Sequence, residues 1–232
     1  SDDEYAYSFA VIGDPHTPQH AAGNLETMFE WIENNKTTKN IQYAFCVGDL
    51  SNTNSDSDYT RIKACFDMLS IPYSVVRGNH DFDVTGNDFT YDNGINFNKY
   101  FGADQDYASQ FTGENGGIYV GLADQNTQYS ETSVANAYRT FEVSGQKWLF
   151  LNLDFGAPDD VLEWACDVVE GYPEHRVIVN THGYTYSNGT RTGSEPNSYT
   201  TAVQLNSGED IWNKLISKYE NMEIVFSGHH LY

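Results

Sequence analysis

Short apolar runs that end abruptly in polar residues recur along the chain, separated by segments whose apolar residues fall at helical spacing. YSFAVIGD (7–14) reads as a strand with a polar end. NLETMFEWIENN (24–35) places Leu25, Met28, Phe29 and Ile32 on one helical face. IQYAFCVGD (41–49) reads as a strand, YTRIKACFDML (59–69) as a helix and IPYSVV (71–76) as a third strand. After a long middle section come the strand KWLFLNLD (147–154), the helix DVLEWACDVVEG (160–171), the strand RVIVNTH (176–182), the helix EDIWNKLISKY (209–219) and the strand EIVFSGHH (223–230). Such alternation predicts an α/β fold with a mainly parallel, layered sheet. Between 82 and 146 the helical periodicity thins. There GGIYVGL (116–122) and YRTFEV (138–143), the latter followed by the turn-prone pair Ser144-Gly145, read as hairpin strands of a second sheet. Residues 82–116 and 185–210, rich in Gly, Asn, Thr, Ser and Tyr, read as long loops of the kind that serve function or move. No domain boundary is visible, so 1–232 reads as a single domain.

Composition narrows the function. The 232 residues, 39% hydrophobic and 15% aromatic, suffice for one large domain with a buried core. Thirty-three acidic residues against twelve basic ones give a formal charge of −21, which repels nucleic acid and anionic membrane alike. An anionic substrate would need a local cation. No apolar run approaches the roughly 18 residues of a membrane span, and SDDEYAYSF at the start lacks the basic and apolar regions of a signal peptide, so it reads as the start of a mature chain. Cys46, Cys65 and Cys166 are odd in number and sit in apolar patterns, so buried thiols are expected and not a disulfide framework. A polar set leaning to Asn, Ser, Thr, Asp and Tyr, with little Lys, points to an extracellular or cell-envelope protein, with the cytoplasm as the alternative. A monomer is the default expectation.

The candidate chemistry lies where the strands end. Asp14-Pro15-His16, Asp49-Leu50-Ser51-Asn52, Asn79-His80-Asp81, His182 and His229-His230 each follow an apolar run, and five such ends would converge on one sheet edge. Taken singly, a Gly-Asp there is turn chemistry and a lone His is a hydrogen-bonded loop residue. Together they hold five of the seven histidines, and Asp, Asn and His are the mixed donors that suit Mn, Fe, Zn, Co or Ni. No Gly-rich dinucleotide fingerprint, P-loop or Gly-x-Ser-x-Gly elbow is present. NTNSDSD (52–58) alternates like a calcium loop but lacks its turn glycine and closing glutamate, so a helix-capping loop is the better reading. Tyr91, Phe97, Tyr100, Phe101, Tyr107, Tyr184 and Tyr186 suit either stacking on a base or sugar or packing of the second sheet, with packing favoured.

The ordered series Asp14-x-His16, Gly48-Asp49, Gly78-Asn79-His80-Asp81, His182 and Gly228-His229 resembles the calcineurin-like metallophosphoesterase superfamily over nearly the whole chain. Gly-Asn-His-Asp is its most specific part. GDLSNTNS together with YTRIKACFDMLSIPYSVVRGNHD looks most like the branch that includes cyclic-nucleotide and other phosphodiesterases. The resemblance implies a four-layer α/β/β/α sandwich of two mixed sheets flanked by helices, with two divalent transition metal ions (Mn, Fe, Zn or Ni) at the loop ends. It assigns Asp14 and His16 to a first metal, Asn79, His182 and His229 to a second, and Asp49 to both as a bridge. A hydroxide shared by the metals would attack the phosphorus of a small-molecule diester or nucleotide. His80 would be the general acid, Asn52 its orienting residue where many relatives carry an acid, and Asp81 a brace. One position departs. Leu231 stands where the family's last motif, Gly-His-x-His, has its second histidine, so the first site is expected to be weak. His230 is the candidate substitute, although neighbours on an extended chain point to opposite sides. Relatives continue with further strands, so the chain reads as lacking them. The rival reading is a metal-poor binding module of the same fold.

Overall fold

In a computed structural model of the chain, residues 6–17, 23–85, 88–90, 95–120, 133–193 and 204–230 are described. β1 (Ser8–Ile12), β2 (Ile41–Cys46) and β3 (Tyr73–Val75) form a parallel sheet in that order. Its outer face is covered by α1 (Asn24–Asn35), α2 (Asp56–Phe66) and α3 (Ile95–Phe101). The second sheet is built from β6 (Gly116–Ile118), β7 (Ala137–Val143), β8 (Gln146–Asn152), β9 (Arg176–Asn180) and β10 (Met222–Phe226). Its order is β10-β9-β8-β7-β6, parallel from β10 to β8 and antiparallel from there on. α4 (Asp159–Gly171) and α5 (Gly208–Lys214) cover its far side.

The period-2 alternation of buried strands produces the layers. In β2, Ala44 and Cys46 face the helix side with Leu25, Phe29, Ile62 and Phe66, while Tyr43 and Phe45 face the other sheet. In β8, Leu149 and Leu151 meet Leu162, Ala165 and Ile211, while Trp148 and Phe150 face back across the gap. The Phe150 ring lies 4.6 Å from Tyr43 and 4.9 Å from Phe45, so an aromatic layer joins the sheets. Each fully buried ring contributes roughly 1.5–3 kcal/mol relative to exposure. The result is the expected α/β/β/α sandwich, with the mixed directions in the five-stranded sheet.

Several details differ from the sequence pattern. The parallel strands are divided between two sheets, and the hairpin strands β6 and β7 extend the sheet that holds β8 to β10. α2 starts at Asp56, three residues before its apolar periodicity, because Ser55 caps the Asp58 N–H at 3.3 Å. Asp58 itself turns inward to accept from the backbone N–H groups of Asn52 and Thr53, which makes NTNSDSD the expected capping loop. Residues 82–116 are not one long loop. They hold the hairpin β4 (Asp83–Thr85) and β5 (Asp88–Thr90), α3 and a 3₁₀ segment, Asp106–Phe111. Phe97, Phe101 and Tyr107 are buried in the first sheet's core and Tyr100 stacks on Tyr59, so these aromatics pack; Tyr91 lies outside the described residues. Cys46 and Cys65 are buried, Cys166 is half-buried, and all three are free thiols. No described helix is long and apolar enough to cross a membrane.

Candidate metal centre

The segments that follow β1, β2 and β3 in one sheet and β9 and β10 in the other meet at one edge. Three residues there, His16 (φ 42°), Asp49 (φ 51°) and His229 (φ 76°), have left-handed backbone, which costs of order 1–3 kcal/mol each and aims their side chains off the strand direction. Two glycines allow the close approach. A Cβ at Gly78 would stand 2.2 Å from Asp49 Oδ1, and one at Gly228 would stand 2.0 Å from Asp14 Oδ1.

Asp49 sits at the centre. Its Oδ2 lies 3.2 Å from His16 Nε2 and 3.2 Å from His182 Nε2, while Oδ1 accepts the His80 N–H at 2.9 Å. The potential ligand atoms of His16, Asp49 and His80 form one group, and those of Asp49, His182 and His229 form a second, each within 4.8 Å. Asp49 is thus common to both. His182 Nδ1 donates to the Val47 carbonyl at 2.7 Å, which fixes the tautomer and turns Nε2 toward Asp49 and toward Asn79 Oδ1, 3.2 Å away. Asp14 Oδ2 accepts the His229 N–H at 2.9 Å. Its Oδ1 is buried without a hydrogen-bond partner among the described residues, as is His16 Nδ1. A buried carboxylate oxygen left over beside an oxygen and nitrogen donor set fits a divalent transition metal.

Burial alone would lower the His182 pKa, but the Asp49 carboxylate beside it overrides this and lifts it to about 9. The hydrogen bond to Asp49 likewise raises His16. Burial works to raise the Asp49 pKa, yet His182 and His16 pull it well below the usual carboxylate range.

Asp81 is fully buried between two loops. Its carboxylate accepts from Gly78 N–H (2.8 Å), Leu50 N–H (3.0 Å), Ser51 N–H (2.9 Å) and the Tyr59 hydroxyl (3.1 Å), fastening the loop after β2 to the loop after β3. Burial, with Asp49's charge nearby, pushes its pKa up to about 6 against the pull of these donors.

Other expected residues are placed differently. His80 Nδ1 meets the backbone carbonyl of Asn52 at 2.9 Å, so the main chain of Asn52 orients this ring, while the Asn52 side chain bears on His16. His230 is in neither ligand group among the described residues; its ring lies 4.7 Å from Tyr186 and 4.5 Å from His229. Leu231 lies outside the described residues. Arg191 pairs with Glu209 at 2.7 Å and covers Trp212. Sequence reasoning missed the carbonyls of Val47 and Asn52, which any residue type supplies, and Phe155, whose ring packs 5.7 Å from His182 and 5.3 Å from His229. Beside the cluster a cleft of about 330 Å³ is lined by residues that include Asp14, Tyr186, Ser187, His229 and His230.

The chain is 27% identical over 230 residues to the uncharacterized protein YvnB of Bacillus subtilis (strain 168), across 97% of this chain and 14% of that protein. It thus spans about a seventh of the relative's length. A purple acid phosphatase, PPD1 from yellow lupin seeds, superimposes with a TM-score of 0.54 at 16% identity, over 95% of this chain and 37% of that one, a likeness of fold. The family model described as calcineurin-like phosphoesterase matches residues 7–232, from the strand that carries Asp14 through the loop that carries His229, and the chain belongs to that family.

Proposed function

We propose that the chain is a metal-dependent phosphoesterase acting on a phosphate diester or nucleotide-type ester, with two divalent transition metal ions (Mn, Fe, Zn or Ni) as cofactors. The observation that carries this reading is the position of Asp49 Oδ2, 3.2 Å from the Nε2 atoms of both His16 and His182 at the junction of two ligand groups. Asp14, His16 and Asp49 would hold a first ion, with His80 of the same ligand group kept for the acid role, and Asp49, Asn79, His182 and His229 would hold a second. Such a pair, when bound, supplies activated water and neutralises phosphate charge. His80 directs Nδ1–H to the Asn52 carbonyl, which leaves Nε2 to protonate the departing oxygen. Asp81 and Asn52 act through loop and ring position and not on the substrate.

The described lysines and arginines are poor phosphate clamps, since nine of the chain's twelve already face an acidic partner. The cleft beside His229, with Tyr186 on its wall, suits an organic group on the phosphate, which favours small diesters and nucleotides over phosphopeptides.

Turnover of bis-nitrophenyl phosphate with added Mn or Zn, with and without chelator, tests the reading. Activity should vanish with the chelator and fall at least about 100-fold in Asp49→Ala, which removes a ligand of both ions. Wild-type turnover by that variant defeats the proposal, and a phosphopeptide hydrolysed better than the diester defeats the substrate class. Ligand binding without turnover at saturating metal would favour the binding module, for which Leu231 is the motivating residue.

A further inference from the structure

The second ligand group draws on both sheets. Asn79 follows β3 of the first sheet, whereas His182 and His229 follow β9 and β10 of the second, so the 3.2 Å between Asn79 Oδ1 and His182 Nε2 is set by how the sheets are spaced. Two residues along the chain from Asn79 lies a buried ion pair. Arg77 and Asp154 are 1% and 0% exposed, and the guanidinium meets the carboxylate as a fork, Nε to Oδ1 at 3.1 Å and Nη2 to Oδ2 at 2.5 Å. Arg77 is two residues before Asn79. Asp154 follows β8, and its carbonyl accepts from the Thr181 hydroxyl at 3.4 Å, one residue before His182. The chain from Asn79 back to Arg77, across to Asp154, on to Thr181 and His182, and back to Asn79 is a closed bracket.

We infer that the Arg77–Asp154 pair is a positioning device for the second metal site, fixing the distance between the ligands that the two sheets supply. The inference rests on the phosphoesterase reading only in taking that group as a metal site. Its physical basis is that a buried pair is a poor source of stability, since apolar side chains of similar volume often replace one without loss. A two-pronged fork instead fixes distance and orientation together, and metal ligands need placement to within about 0.2 Å.

Two variants test it, Arg77→Met with Asp154→Leu, and Arg77→Lys alone. The readouts are Co²⁺ affinity by competition with a chelating dye, the visible spectrum of the Co²⁺-loaded protein, and the melting temperature of the metal-free protein. The double variant should melt within a few degrees of wild type yet bind its tightest Co²⁺ about 10- to 100-fold more weakly, with an altered spectrum. Arg77→Lys keeps the charge but not the fork and should move affinity and spectrum the same way. Wild-type affinity and spectrum in either variant, whatever the melting temperature, overturn the inference, because the pair then only holds the fold. If the double variant does not fold, Arg77→Lys decides. A wild-type protein that binds no Co²⁺ overturns the metal reading itself, a result distinct from retained affinity in the variants.

Discussion

His182 is enclosed between Asp14, Asp49, Asn79 and the Val47 carbonyl, and its protonation ties stability to pH. Its folded pKa, about 9, lies above the ordinary 6.5, so in the metal-free protein it contributes stability fully below about pH 6.5 and loses it as pH rises through about 9. At about 1.4 kcal/mol per pH unit the contribution is at most about 3.5 kcal/mol, and the depressed pKa of Asp49 is the same interaction seen from its partner, not an addition. Chelated protein should therefore melt lower above pH 9 than at pH 6.5. With metal the sign reverses, because a ligating imidazole must be neutral and binding expels its proton. Melting curves across this range, with and without chelator, check both signs; a flat metal-free profile would mean that the His182–Asp49 pair does not form. Leu231 sets a second expectation at this scale. With Asp14, His16 and Asp49 alone, a first ion would have three protein ligands, an open and weaker set than the four proposed for the second. Metal titration with elemental analysis should give one tight equivalent and one that fills only in excess, whereas two equally tight ions would require a further ligand such as His230.

The loops that carry these residues are held to one another. Asp81 alone gathers three backbone N–H groups and the Tyr59 hydroxyl, so Asp81→Ala orphans three buried backbone donors and takes an acceptor from Tyr59, at about 1 kcal/mol or more for each donor. A loss of about 3 kcal/mol or more in denaturant unfolding is expected, with a smaller loss in Asp81→Asn, which keeps one acceptor oxygen; a loss under about 1 kcal/mol in Asp81→Ala would show that the loops are fastened elsewhere. What was legible in the sequence follows from the same anatomy. Strands such as β2 and β9 and the helices α1 and α4 stood out because long apolar periods interrupted by polar residues have few other readings, and the strand-end positions of Asp14, Asp49, Asn79 and His182 came with them. The division of the parallel strands into two sheets was not legible in the periodicity, because a strand buried on both faces reads the same in either sheet, and came only with the family resemblance. α3 was missed since seven residues, INFNKYF, complete too few turns to display a period. The Arg77–Asp154 contact joins residues 77 positions apart and has no local signature.

At the scale of the whole molecule the formal charge of −21 acts on every small ion that approaches. Most exposed cations are already committed to acidic neighbours, among them Arg61 to Glu26, Arg176 to Glu223 and Lys214 to Asp159, so the remaining field is broadly negative. Such a field draws divalent cations toward the cluster and repels a phosphate ester, and salt weakens both effects as the screening length falls from about 30 Å at 0.01 M to about 3 Å at 1 M. The two ligands should therefore respond to salt with opposite signs. Metal association should slow as NaCl is raised, while the KM for an anionic diester, measured with metal saturating, should fall. The kcat should change little, since the attraction between bound phosphate and the metals acts at short range inside a partly dehydrated cluster, where salt screens least. Stopped-flow metal binding and steady-state kinetics over one salt series measure both slopes. If KM instead rises with salt, the ester is being steered by a local positive potential at the loaded site, and the net charge of the molecule does not govern substrate capture.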